Sequence, residues 1–148
     1  MSQKLIWINK PIKDKEKIIE EVLEKRKENF SPEVRIGLIY FKPEKIQKIF
    51  DPLFQEYGKR YKVTRAWAHF MEKGGFRASH QHTEITALYY LKIPENSAKM
   101  TNDATGDMIE PIEDDFCIFP KMLPHSISEH KSDEIRLAIA MDCEEYAK

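Results

Sequence analysis

At Tyr61 the chain changes its hydrophobic period, and that change restricts the fold more than any other feature of the sequence. Before it, Ile18, Ile19, Val22 and Leu23 recur at spacings of three and four inside the charged stretch KDKEKIIEEVLEKRKE. This is the pattern of an amphipathic helix from Asp14 to about Glu28, with one face that needs covering. A second helical stripe, Ile46, Ile49, Phe50, Leu53 and Phe54, follows Pro43 and ends at Gly58, with Pro52 expected to kink or divide it. VRIGLIYF between the two, and KLIWI near the start, have strand composition.

After Tyr61 the period is two. VTRAWAHFMEK, FRASHQH, ITALYYLKI, AKMT, DMIEPI, DFCIFP, HSISEH and EIRLAIAMD read as short strands, separated by turn signals such as Lys73-Gly74-Gly75 and Ala104-Thr105-Gly106-Asp107. Such a run of short strands suggests a jelly roll. The expected fold class is therefore α+β: a double-stranded β-helix core over 62–142, with the helices of 1–61 packed on its major sheet, in one domain spanning 1–148. Alternation assigns the faces. Phe76, Ala78, His80 and His82 should point inward, with Arg77, Ser79, Gln81 and Thr83 facing water. His125 and Ile127 should oppose Ser126, Ser128 and His130. In the last strand Ile135, Leu137, Ile139 and Met141 form an apolar face for the helices, and Arg136, Ala138 and Ala140 form the other.

Composition excludes several function classes. Twenty-four Lys and Arg against twenty-five Asp and Glu leave a net charge of -1, so no global field recruits nucleic acid or anionic lipid. No apolar run approaches the length of a membrane span, and MSQKLIWINK lacks the features of a secretory signal, so a cytoplasmic protein is expected. Cys117 and Cys143 have neither zinc-ribbon nor redox-motif spacing and are expected to be reduced. Oligomeric state is not legible.

The chemistry concentrates in His80-Gln81-His82. Two residues on one strand face lie about 6.5 to 7 Å apart at Cα, close enough for two imidazoles to converge on one ion. Alone, such a pair is more often solvated or hydrogen-bonded internally. His125 strengthens the case, because in a jelly roll the strand starting there is the antiparallel neighbour of the one ending in His82, which brings the three histidines to one mouth. His69 shares an inward face with Trp67. Arg136, between small neighbours on an inward face, needs an anionic partner: a carboxylate ligand gripped by its guanidinium fork, or a protein acid such as Glu129 or Glu134.

Taken in order, AWAHFMEKGGFRASHQH, ALYYLKIPENS, IEPIEDDFCIFPKMLPHSI and EIRLAIAMD resemble the short Fe(II)- and 2-oxoglutarate-dependent oxygenases related to prolyl hydroxylases, over roughly half the chain from Trp67 to Asp142. The resemblance implies that His80 and His125 bind Fe(II), that His82 fills the position more often held by the carboxylate of a His-x-Asp pair, and that Arg136 binds the distal carboxylate of 2-oxoglutarate. Two departures matter. Thr83-Glu84 leads almost directly into the next strand, so Glu84 is an alternative carboxylate ligand, and Ala138 replaces a hydroxyl residue, so that one cosubstrate hydrogen bond is either missing or supplied by Tyr90 or His69. Trp67, Leu88 and Phe119 would line the substrate pocket. The implied reaction is hydroxylation of a C–H bond in a small-molecule or peptidyl substrate, with release of succinate and carbon dioxide. The rival readings are a cupin-like metalloprotein that does not use 2-oxoglutarate and a non-enzymatic jelly-roll binding module.

Overall fold

The computed structural model describes residues 6–58 and 60–146. In chain order the elements are β1 (Ile6–Asn9), α1 (Lys15–Asn29), β2 (Ile36–Phe41), α2 (Pro43–Glu56), β3 (Tyr61–Met71), β4 (Arg77–His80), β5 (Ile85–Lys92), β6 (Met100–Asn102), β7 (Asp107–Ile109), β8 (Asp115–Phe119), β9 (His125–Ile127) and β10 (Arg136–Glu145). They form a six-stranded sheet ordered β1-β8-β5-β10-β3-β2 and a four-stranded sheet ordered β4-β9-β6-β7. The strand pairs are antiparallel. This is the jelly-roll arrangement expected from the second half, with one addition: the N-terminal part supplies the two edge strands of the large sheet as well as its helical cover. Residues 4 and 5 of the expected first strand lie outside the described residues. Among the described residues no helix is long and apolar enough to cross a membrane.

Strand β10 shows how the alternation divides core from site. Leu137, Ile139 and Met141 are fully buried and join Val22, Ile46, Phe50 and Phe54 of the helices in one core cluster. Each such side chain contributes roughly 1.5–3 kcal/mol by leaving water. The opposite face of the strand, Arg136, Ala138, Ala140 and Asp142, looks into the space between the two sheets. The stripe on α2 behaves as expected, burying Ile46, Phe50, Leu53 and Phe54, but the helix runs unbroken through Pro52. Proline removes one backbone donor from the ladder, and here the buried stripe on both sides of it keeps the helix continuous.

Two expectations fail on the smaller sheet. The pairing of β4 with β9 shifts register between Arg77 and His80, so strict alternation does not hold across this stretch. Phe76 is 62% exposed rather than inward, and Arg77 turns toward the cavity rather than to water. His130, expected on a wet face, is fully buried. Its Nδ1 receives the Ala98 amide at 3.1 Å, its Nε2 lies 2.7 Å from the Glu134 carbonyl, and its backbone closes a ladder with Gly74 and Gly75. His130 is a structural tie that holds the glycine turn ahead of β4. Gly75 must be glycine there, because a Cβ would fall 2.4 Å from the Arg35 carbonyl oxygen.

Candidate metal centre

His80 ends β4 and His125 begins β9, and the two are direct register partners across the antiparallel pair. His82 lies two residues beyond the strand end, on the short connection to β5. The side chains converge: one ring nitrogen from each of His80, His82 and His125 can be chosen so that all lie within 4.8 Å of one another. Ring centroids are 4.3 Å apart for His80 and His125, 5.1 Å for His80 and His82, and 5.4 Å for His82 and His125.

The second nitrogen of each ring has its own environment. His80 Nδ1 is 3.2 Å from the Ala78 carbonyl, and His125 Nδ1 is 2.8 Å from the Leu123 carbonyl. His82 Nδ1 faces Asp142 Oδ1 at 3.8 Å. An acceptor opposite Nδ1 favours the tautomer that carries its proton there and leaves Nε2 as a lone-pair donor, the arrangement found behind metal-bound histidines. Burial lowers the pKa of all three rings; for His80 it is pushed down to about 4, with the neighbouring His125 adding to the effect. Neutral imidazoles at physiological pH are what metal ligation requires.

The histidines open on a cavity of about 210 Å³ between the sheets, whose walls include Trp67, Leu88 and Phe119. Glu84 is not among its lining residues and does not join the histidine cluster. The carboxylate that does reach the cavity is Asp142, only 6% exposed, with one buried oxygen lacking a hydrogen bond. Burial raises its pKa against the opposing pull of Arg65 and Thr86. Sequence reasoning passed over Asp142, although the alternation that turns Arg136, Ala138 and Ala140 inward continues to it.

Arg136 lies at the other side of the cavity, 1% exposed, with no acidic partner among the described residues. Neither Glu129 nor Glu134 pairs with it. Its Nη1 contacts Met71 Sδ at 3.6 Å, its guanidinium carbon stands 5.3 Å from the centre of the Tyr90 ring, and its Nε has no hydrogen-bond partner. Burial lowers the guanidinium pKa. Two neighbours are equally unsatisfied: the Tyr90 hydroxyl, beside the guanidinium without hydrogen-bond geometry, and His69 Nε2. Burial and the Arg136 charge push the His69 pKa down to about 3, so this ring is neutral. Buried polar groups are normally paired, at a cost of about 1–3 kcal/mol each when they are not. Three in one recess leave polar groups that a ligand with acceptor oxygens can satisfy.

No family model matches the chain, and no curated protein matches it in sequence. Solved structures do match in fold. A viral collagen prolyl hydroxylase from Paramecium bursaria Chlorella virus-1, in complex with 2-oxoglutarate, aligns at a TM-score of 0.71 and 14% identity over 99% of this chain and 97% of its own. HygX from Streptomyces hygroscopicus, with nickel and 2-oxoglutarate bound, aligns at 0.66 and 11% over 94% and 81%. A 2OG-Fe(II) oxygenase family oxidoreductase from Burkholderia pseudomallei aligns at 0.62 and 11% over 83% and 76%. At these identities the likeness is one of fold, and it extends over most of the chain, N-terminal helices included, in the first two alignments.

Proposed function

We propose that this protein is an Fe(II)- and 2-oxoglutarate-dependent oxygenase that hydroxylates a C–H bond of its substrate. The observation that carries the reading is the pairing, within one cavity, of three convergent neutral histidines with a buried arginine that has no acid to neutralise it. An unpaired buried charge is strongly unfavourable, and a carboxylate ligand removes that cost.

His80, His82 and His125 would hold the iron through their Nε2 atoms. Arg136 would take the distal carboxylate of 2-oxoglutarate in its fork, and Tyr90 and His69 would complete that recess. Once bound, iron and 2-oxoglutarate supply the oxidising chemistry, consuming dioxygen and releasing succinate and carbon dioxide. The chain's part is to fix the ligands through backbone carbonyls and Asp142, to orient the cosubstrate, and to keep water out with Trp67, Leu88 and Phe119. The cavity accepts a small molecule or one side chain of a peptide.

The all-histidine donor set also fits a cupin-like metalloprotein that does not bind 2-oxoglutarate. The buried, unpaired Arg136 weighs against it, since such a protein would carry the cost of that charge with no return. Anaerobic titration of the Fe(II)-loaded protein with 2-oxoglutarate tests the choice. A visible charge-transfer band that saturates at one equivalent supports the oxygenase. Iron binding with no such band supports the cupin-like reading, and no stoichiometric iron binding at all refutes both.

A further inference from the structure

Arg77 is the charged residue that strict alternation would have sent to solvent and the register shift in β4 turns inward. No hydrogen bond or ion pair with a described residue reaches its guanidinium. Its position is central, because its charge bears on His69, His80, His82 and His125 alike. Arg65 lines the same cavity from the mouth, its guanidinium 5.7 Å from the centre of the Tyr40 ring and 5.8 Å from that of Trp67.

Charge counting then separates a second anionic ligand from the first. The lining residues include the cations Arg65, Arg77 and Arg136 and the single carboxylate Asp142. Three neutral histidines add no negative charge, so a divalent metal brings its full +2, and the site totals +4. A dianionic cosubstrate on Arg136 and the metal brings the total to +2, with Arg77 and Arg65 still unanswered. In a cavity of about 210 Å³, open at the mouth where Arg65 is exposed and with Arg77 half-buried further in, such an excess favours an anion.

We infer that Arg77, supported by Arg65, forms a substrate subsite for a carboxylate, so that the molecule oxidised here is a carboxylic acid. The inference rests on the oxygenase reading and names its substrate class. The Trp67, Phe119 and Leu88 walls receive the carbon skeleton, and the guanidinium fork fixes the acid end, which orients one C–H bond relative to the metal. The carboxylate belongs either to a small organic acid or to a glutamate or aspartate side chain of a peptide. The recess favours the small acid.

The test is anaerobic calorimetry on the protein loaded with Fe(II) and saturating 2-oxoglutarate. The probes are benzoate against benzamide, and acetyl-Ala-Glu-Ala-amide against its Gln counterpart. The expected result is at least tenfold tighter binding of benzoate than of benzamide. In Arg77→Gln that preference disappears and in Arg77→Lys it partly persists, while the Fe(II)–2-oxoglutarate absorption band forms in both variants. A preference confined to the peptide pair supports the subsite and assigns it to a peptidyl acid. Equal affinities for acid and amide in both pairs, or a preference that survives Arg77→Gln, overturn the inference and leave the oxygenase reading standing. Failure of the absorption band in the wild-type protein overturns the oxygenase reading itself, and the inference with it.

Discussion

Replacing Arg136 with Met should make the ligand-free protein more stable and at the same time remove its response to 2-oxoglutarate. The side chain is 1% exposed and has no acidic partner, so the folded state bears the desolvation of a full positive charge, several kcal/mol for an ion. The Tyr90 ring, 5.3 Å away, offsets roughly 2 kcal/mol of this. Methionine keeps most of the stem's packing and brings no charge. From the range for replacing buried ions by apolar side chains, the gain is about 1–4 kcal/mol. For a chain of this length that raises the melting temperature by roughly 3–10 °C. With metal and with 2-oxoglutarate at a hundred times its Kd, the wild-type protein gains about 2.7 kcal/mol, whereas the variant gains nothing from the cosubstrate. Urea unfolding of both proteins, with and without 2-oxoglutarate under anaerobic conditions, measures each quantity. A ligand-free variant less stable than wild type by a kcal/mol or more would refute the claim that Arg136 is unpaired. An undiminished stabilisation by 2-oxoglutarate would refute its assignment as the cosubstrate anchor.

Three further outcomes follow from the same geometry. His125→Ala and His82→Ala should each abolish stoichiometric Fe(II) binding while Glu84→Ala retains it, as read by equilibrium dialysis against metal. Asp142→Asn should weaken Co(II) affinity about tenfold, the scale for removing the partner behind a metal-bound histidine, with a shifted Co(II) absorption spectrum and an unchanged fold by circular dichroism; an unaltered spectrum would detach Asp142 from His82. The metal-free protein should lose stability as pH falls below about 6.5. In that range the unfolded chain takes up protons on His69, His80, His82 and His125 that the folded chain resists, down to about 4 for His80 and about 3 for His69. Urea midpoints between pH 8 and pH 4 measure this, and a flat profile would contradict the neutral-imidazole description.

Period and turn chemistry carried most of the architecture. The switch at Tyr61, the two apolar stripes and the inward and outward faces of β10 are local properties, and packing left them unchanged. What was not legible depends on pairing between distant segments. The β4–β9 register shift is a property of two strands together, and no pattern within FRASHQH announces that Arg77 and His80 both serve the cavity. The destination of His130 is similar: its ring is fixed by Ala98 and Glu134, which the spacing of HSISEH cannot reveal. The choice between His82 and Glu84 was open for the same reason, because where the chain leaves the strand after His80 decides which side chain swings back.

One strand links these readings, because the two faces of β10 answer to different constraints. Leu137, Ile139 and Met141 are held by the apolar contacts of α1 and α2, and a change there acts through cavity formation, about 2–5 kcal/mol for a large side chain cut to alanine. On the other face, Arg136 and Asp142 stand six residues apart with only Ala138 and Ala140 turned inward between them, so the strand delivers a cation to one end of the cavity and an anion to the end beside His82. Larger side chains at the two alanines would fill the space between the arginine and the histidines without disturbing the helices. The apolar packing behind the strand keeps an unpaired arginine aimed into that space, which is why a change in the cavity can alter ligand binding without touching the core.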